Sequence, residues 1–168
     1  MVEQYVAHGM LAPDELVNAI LKKQVKDLDT QTGFLLDGYP RNVEQAEDLD
    51  KYLKIDIAIH VKISDELALK RLLGRLYCPD CRSIFHEIDS PPALPGICSV
   101  CGGKLKHRDD DQEDVIRNRL MEYRFMTEPM AGYYRQRGVL LTINGDQPIP
   151  FLFQELVKKM GKLGFLNA

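Results

Sequence analysis

The chain has 168 residues, of which 45% are hydrophobic, and a formal net charge of −3 at neutral pH. This length suits one domain with a buried core and leaves room for a small inserted lobe. The negative charge argues against general attraction to nucleic acids or membrane surfaces, and no apolar run approaches the roughly 20 residues that a membrane-spanning helix needs.

Apolar spacing, caps and turn residues predict alternating helices and strands in the first half of the chain. Proline fits the first turn of a helix, and acidic side chains are favoured at its N-terminal end. In chain order we expect a helix over 2–8, a helix from Pro13, a buried strand over 33–36, a turn over 37–41, a helix from Asn42 to about Leu53, a strand over 55–63 and a helix from Ser64 to Arg75.

The second half predicts a cysteine-containing lobe, a long helix, a strand and a last helix. The long helix covers 111–137, and Pro129 is expected to bend or interrupt it, because proline has no N–H to donate. A strand over 138–143, a turn over 144–148 and a helix ending near Gly161 follow. Strands alternating with helices predict an α/β fold with a parallel sheet and flanking helices, and the cysteine lobe is an insertion outside that sheet.

The four cysteines form two Cys-x-x-Cys knuckles, Cys78 with Cys81 and Cys98 with Cys101, separated by residues 82–97. Four thiolates make a closed tetrahedral site that suits structural zinc and leaves no position for a catalytic water. Two disulfides and an iron–sulfur cluster are the alternatives. Nothing marks the chain as secreted, and the spacing does not match ferredoxin patterns. The thiols and the lack of a signal-peptide pattern favour the cytoplasm.

Several motifs in combination resemble an adenylate kinase of the zinc-lid type. They are Phe-Leu-Leu-Asp-Gly-Tyr-Pro-Arg at 34–41 with Gln45, Leu-Gly-Arg at 73–75, the four cysteines, Arg-Asp-Asp-Asp-Gln at 108–112 and Arg-Asn-Arg-Leu at 117–120. The resemblance runs from about Val2 to Gly161. It implies reversible phosphoryl transfer from ATP to AMP, giving two ADP, with Mg²⁺ accompanying ATP. It also implies a core at 1–75 and 113–168, with part of an AMP-binding region near 1–18, and a zinc-binding lid at 76–112.

The resemblance gives roles to individual residues, and arginine forks suit the phosphate oxygens of this reaction. Arg71 and Arg75, four apart on one predicted helix, are expected to share a face. By resemblance, the catalytic and phosphate-binding set is Arg41 for AMP, Arg71 and Arg75 for ATP, and Arg108 and Arg119 for both, with Asp37 for magnesium or its waters. The nucleotide-contacting set is Gly38, the adenine reader Gln45, the backbone of Met10 to Ala12, Phe85 and the backbone of Gln147.

Two further acidic residues lie at the exit of the predicted lid. Asp110 and Asp111 could either orient Arg108 or cap the helix that follows. The residue pattern leaves both alternatives open.

The 168 residues contain no Gly-x-x-x-x-Gly-Lys-Ser/Thr loop, the motif that cradles ATP phosphates. In the resembled family this loop follows a first strand that would lie between the strands predicted over 33–37 and 55–63. One hypothesis is that the chain is a fragment, inactive until a strand–helix–strand unit is restored. The other is a complete polypeptide whose sheet pairs those two strands directly, or whose gap a partner fills.

A second function class remains beside the enzyme: a non-catalytic nucleotide- or partner-binding remnant stabilised by zinc. Nucleic-acid binding by the zinc ribbon is a weaker alternative, because the ribbon carries few basic residues. The expected partners are ATP, AMP and ADP, without nucleic acid or membrane. We expect a monomer unless a partner fills the place of the missing strand.

Overall fold

The computed structural model describes residues 13–26 and 33–165. The predicted helix over 2–8, together with Met10 and Ala12, lies outside these residues. The chain divides into two compact units, and each is described by itself. One unit is Ile63–Leu120, which contains the segment 76–112 predicted as a lid, and the other combines Met1–Lys62 with Met121–Ala168.

The described elements alternate between helix and strand along most of the chain. In chain order they are α1 (Asp14–Lys26), α2 (Val43–Leu49), β1 (Ala58–Lys62), α3 (Asp65–Leu73), β2 (Arg75–Tyr77), β3 (Ile84–His86), α4 (Glu113–Glu122), a π-helical turn (Tyr123–Thr127), α5 (Pro129–Gln136), β4 (Leu140–Asn144) and α6 (Ile149–Lys162). Every helix in the described part of the chain is too short or too polar to cross a membrane.

A parallel pair of strands, β1 and β4, forms the sheet of the discontinuous unit. The register runs from Ala58 opposite Leu140 to Lys62 opposite Asn144, and the Ile143 side chain is fully buried. Helices α5 and α6 both contact β4. The two strands were predicted, although the structure has them shorter or shifted at their ends, and their parallel direction is confirmed.

The strand predicted over 33–36 is wrong. The segment is in irregular conformation, and the Leu35 side chain is 79% exposed. An apolar run becomes a strand only where another backbone pairs with it. Among residues 13–26 and 33–165, no backbone pairs with 33–37, and β1 pairs with β4 alone. The direct pairing of 33–37 with 55–63, one of the two arrangements that the complete-polypeptide hypothesis allowed, is therefore not formed.

Asn42 caps the N-terminus of helix α2, as predicted. The Asn42 side chain accepts a hydrogen bond from the Gln45 N–H at 2.7 Å, which satisfies one of the free donors of the first turn. The helix ends at Leu49, earlier than the predicted end near Leu53, and turns continue the chain from there.

The long helix predicted over 111–137 is interrupted, as expected, near Pro129. It begins at Glu113, and a π-helical turn precedes Pro129, where α5 starts. The Glu128 N–H donates to the Tyr123 carbonyl at 2.9 Å, which is the wide hydrogen bond of a π turn. A widened turn makes room for the proline ring, which would collide with the carbonyl four residues earlier.

Helix α3 is shorter than predicted, and this changes the position of one arginine. The helix ends at Leu73 with Gly74 at its C-cap, and Arg75 begins strand β2. The Gly74 carbonyl accepts from the Glu87 N–H at 2.9 Å, so the chain has already entered the antiparallel hairpin with β3. The expectation that Arg71 and Arg75 share a helix face is therefore wrong, because only Arg71 lies on the helix.

Candidate functional site

Each Cys-x-x-Cys pair lies in a tight backbone knuckle. The first knuckle joins β2 to β3, and in it the Cys78 N–H donates to the Ser83 carbonyl at 2.9 Å. The second repeats the pattern, because the Cys98 N–H donates to the Gly103 carbonyl at 2.8 Å. The two turns therefore present their thiols in the same way, and the cysteine residues themselves lie in the hairpin turns.

The sulfur atoms of the four cysteines lie close together. All four sulfur atoms lie within 4.8 Å of one another, and two cross-knuckle pairs, Cys78 with Cys101 and Cys81 with Cys98, are 3.5 Å apart. A tetrahedral zinc site with bonds of about 2.3 Å has sulfur–sulfur edges of about 3.8 Å, close to this spacing. A disulfide bond is about 2.05 Å long, so the disulfide alternative is wrong, and all four cysteines are free.

The chemistry of the donor set also suits a metal. Cys78 and Cys98 are buried, and hydrogen bonding to Ser83 lowers the pKa of the Cys81 thiol to about 6. The backbone hydrogen bond of Gly103 lowers the pKa of Cys101, but hydrogen bonding to Cys81 and Cys78 outweighs it and raises this pKa to about 12, so Cys81 is the thiol of the pair that ionises first. A thiolate is the form that binds a metal ion. Among the described residues these cysteines are the one cluster of three or more side chains able to hold an ion.

Arg75 and Asp111 form a buried, two-pronged ion pair in the unit Ile63–Leu120. Arg75 Nε donates to Asp111 Oδ2 at 2.7 Å, and Nη2 donates to Oδ1 at 2.5 Å. The Asp111 side chain is fully buried and that of Arg75 is 18% exposed. The hydrogen bonds that Arg75 donates to the Asp111 carboxylate raise the pKa of Arg75 above its ordinary value. Neither residue was expected to pair with the other.

The carboxylate of the neighbouring residue, Asp110, accepts hydrogen bonds from two more arginines. Arg108 donates to both oxygens of Asp110 at 2.9 Å, and Arg119 Nη1 donates to Asp110 Oδ2 at 3.2 Å. Asp110 thus orients Arg108, which is the first of the two alternatives given for it. Arg119 Nη1 also lies 3.8 Å from Asp111 Oδ1.

The two acidic residues therefore connect arginines from three separate segments. Three guanidinium groups against two carboxylates leave a net charge of +1 (3 − 2). The side chains of Arg108 and Arg119 remain 40% and 36% exposed, so both can reach an anion outside the cluster. The five residues, hereafter the arginine cluster, are Arg75, Arg108, Arg119, Asp110 and Asp111.

In the other unit, the turn over 37–41 holds Arg41 by its backbone and its side chain. The Arg41 N–H donates to Gln45 Oε1 at 2.7 Å, and the Arg41 carbonyl accepts from Thr127 Oγ1 at 2.7 Å. Its guanidinium Nε donates to the Gly38 carbonyl at 2.8 Å, while the side chain stays at the surface. Gly38 has φ +74°, a conformation that favours glycine.

Asp14 is the residue of this region that the sequence did not identify as part of a site. Its carboxylate accepts from Gln45 Nε2 at 2.6 Å and from Asn42 Nδ2 at 2.7 Å. The next turn of α1 adds Asn18, whose Oδ1 accepts from the Tyr39 hydroxyl at 2.6 Å. Sequence offered only a weak signal for this network, namely an acidic residue at a helix start.

The remaining predicted site residues within the described part of the chain are Asp37, Arg71, Phe85 and Gln147. Asp37 is exposed, and its role in holding magnesium stays a prediction. Arg71 is half-buried on α3, and Phe85 lies on β3 opposite Leu76. The Gln147 side chain donates from Nε2 to Glu155.

Comparison with known proteins gives a consistent result. The model of the family described as adenylate kinase matches residues 1–139. An adenylate kinase of Caldicellulosiruptor bescii is 40% identical over 164 residues, which cover 95% of this chain and 76% of the relative. One from Methanothrix thermoacetophila is 41% identical over 165 residues, with the same coverage, and one from Listeria innocua is 38% identical over 161 residues, covering 93% and 75%.

Proposed function

Because the chain belongs to the adenylate kinase family, we propose that it serves reversible phosphoryl transfer from ATP to AMP, giving two ADP. The arginine cluster is the observation that carries this proposal. In phosphoryl transfer the protein contributes mainly positioning and stabilisation of charge spread over phosphate oxygens. Planar, permanently charged guanidinium groups suit both tasks, and two carboxylates hold three of them together here.

In this proposal the two units supply different groups. Arg41 binds the phosphate of AMP, and the Gln45 amide contacts its adenine. Arg108 and Arg119 turn from Asp110 towards the phosphates, and Arg75 stays anchored on Asp111 and adds its charge. Arg71, Phe85 and the backbone of Gln147 contact ATP.

The predicted lid at 76–112 has the role of covering the nucleotides. Closing over them excludes water, so that transfer is favoured over hydrolysis. Cys78, Cys81, Cys98 and Cys101 would hold zinc, which stiffens the lobe and does not touch phosphate. Asp37 would hold Mg²⁺ directly or through water, and that ion neutralises phosphate charge when bound.

The partners that follow are ATP, AMP and ADP. We place the protein in the cytoplasm, because four thiols without disulfide bonds suit a reducing compartment. We propose a monomer that does not bind nucleic acid.

The absence of a Gly-rich phosphate loop from the 168 residues sets the expected activity of this polypeptide. Without backbone amides and a lysine around the ATP phosphates, the chain should bind AMP yet transfer phosphate very slowly. The second candidate function is a non-catalytic nucleotide binder. A coupled assay that detects ADP formation at an enzyme-like rate from the 168 residues alone would overturn this expectation.

Replacing Arg41 with Ala should weaken AMP binding by about tenfold or more, because a charge-assisted hydrogen bond to phosphate contributes about 1.5–3 kcal/mol. Isothermal titration calorimetry with the 168-residue chain measures this directly. Arg135→Ala removes a surface arginine of the same unit and should leave the affinity within about twofold. Equal affinity of the Arg41→Ala variant and the unchanged protein would remove Arg41 from the site.

A further inference from the structure

The Gln45 amide is held in one orientation by two partners that cannot exchange roles. The Arg41 N–H can only donate, and it meets Gln45 Oε1 at 2.7 Å. The Asp14 carboxylate accepts, and it meets Gln45 Nε2 at 2.6 Å. Turning the amide over would place N–H against N–H at one end and oxygen against carboxylate at the other. The side chain is 3% exposed, so water offers little compensation for two lost hydrogen bonds.

Asp14 is itself fixed by a neighbouring residue. Its second oxygen accepts from Asn42 Nδ2 at 2.7 Å, and Asn42 Oδ1 accepts from the Gln45 backbone N–H at 2.7 Å. The carboxylate therefore serves two amide donors at once, from the start of α1 to the start of α2. A neutral amide in its place could accept at one of its two ends only.

The amide keeps unused hydrogen-bonding capacity. Two of its four positions are occupied, and one N–H and one lone pair have no partner among residues 13–26 and 33–165. A buried polar group with spare positions suggests a ligand that fills them. A donor beside an acceptor on one amide matches adenine, which offers an amino group beside a ring nitrogen acceptor. A 6-oxopurine offers a carbonyl in place of the amino group, which the fixed amide meets with the wrong partner.

We propose that Asp14 is a positioning residue that sets the base preference of the nucleoside monophosphate site, by fixing the Gln45 amide with its N–H and oxygen in the order that adenine requires. This inference rests on the proposed function, because it takes the AMP site to lie at Gln45. Asp14 does not itself touch the nucleotide.

The test compares AMP with inosine monophosphate, a 6-oxopurine, by isothermal titration calorimetry of the 168-residue chain. The unchanged protein should prefer AMP by about 10- to 100-fold, the discrimination expected of one bidentate base contact. Asp14→Asn should reduce that preference to about threefold or less, because one amide oxygen cannot replace the two carboxylate oxygens that accept from Gln45 Nε2 and Asn42 Nδ2, and the Arg41 N–H is then the one remaining group that orients the Gln45 amide. Asp14→Glu keeps two acceptor oxygens and should retain most of the preference.

A matched control separates base preference from the attachment of the two helices. Lys22 and Asp48 also join α1 to α2, at 3.0 Å, without touching the Gln45 amide. Lys22→Ala should leave the ratio of the two affinities unchanged, even if both affinities fall. If Asp14→Asn and Lys22→Ala alter the ratio equally, Asp14 has a merely structural role and the proposal is overturned.

The outcomes also distinguish this inference from the proposed function. If the unchanged protein binds neither nucleotide, both are overturned. If it prefers AMP and Asp14→Asn keeps that preference, only the role of Asp14 fails.

A readout that needs no variant is hydrogen exchange of the Gln45 side-chain amide, measured by nuclear magnetic resonance. We expect slow exchange of the Gln45 Nε2 proton that is hydrogen-bonded to Asp14. Exchange of both amide protons at the rate of a free glutamine would contradict the proposal.

Discussion

Replacing Cys98 with Ser should remove the bound zinc and lower the melting temperature by about 10 °C or more. The cysteine lobe has little else to stabilise it, because β2 and β3 have three residues each and few side chains there are buried. In small zinc domains the metal contributes about 10–16 kcal/mol of apparent binding free energy. Losing even about 3 kcal/mol of that lowers the melting temperature of a chain of this size by about 10 °C.

Metal content by atomic absorption and melting by calorimetry measure this effect. Val100→Ser is the control, since Val100 lies between the two cysteines of the same knuckle and is exposed. It should keep one zinc per chain and melt within about 1–2 °C of the unchanged protein. At low temperature Cys98→Ser should lower stability more than any nucleotide-dependent activity. Retention of one zinc per chain by Cys98→Ser, or an equal loss of activity and stability, would contradict a purely structural metal.

Replacing Asp111 with Ala should lower the free energy of unfolding of the chain by about 3–5 kcal/mol. The change leaves the largely buried Arg75 guanidinium without the carboxylate that accepts two of its N–H groups. An unpaired buried charge is costly, because the protein interior replaces little of the hydration that the charge loses. Urea unfolding, followed by circular dichroism, measures the loss.

Glu113→Ala is the matched comparison for Asp111→Ala. Glu113 also pairs with an arginine, Arg117, at 2.6 Å, but both side chains are more than half exposed. Exposed pairs of this kind contribute about 0.3–0.5 kcal/mol, so the variant should unfold almost as the unchanged protein does. Similar losses from the two substitutions would show that burial does not give the Asp111 pair its strength.

The elements that the sequence predicted well are those with local causes. Asn42 caps α2 through a hydrogen bond three residues away, and Pro129 disrupts the helix in which it lies. The Cys-x-x-Cys spacing likewise determines each knuckle. The absence of a strand over 33–36 could not be predicted from the residues of that segment, because strand formation depends on a pairing partner elsewhere in the sequence.

In the candidate site, too, the sequence predicted local features but not the contacts between residues far apart in the chain. The resemblance identified Arg75, Arg108 and Arg119, yet the pairing of Arg75 with Asp111 joins residues 36 positions apart. The contact of Asp14 with Gln45 spans 31 positions. Local spacing also predicted Arg75 on a helix, whereas in the structure Arg75 is the first residue of β2. Sequence patterns indicate which residue types are available, but the tertiary fold decides which carboxylate orients which arginine.

The most direct test of the proposed phosphate-binding role of the arginine cluster is the affinity of the 168-residue chain for ATP, measured by isothermal titration calorimetry. The unchanged chain should bind ATP weakly, because its 168 residues lack the Gly-rich loop, and Arg119→Ala should weaken that binding by a further factor of about ten or more, because it removes a charge-assisted contact with phosphate. Arg117→Ala, on the same helix but paired with exposed Glu113, should bind like the unchanged protein. Equal affinities of the Arg119→Ala variant and the unchanged protein would contradict the role assigned to the cluster.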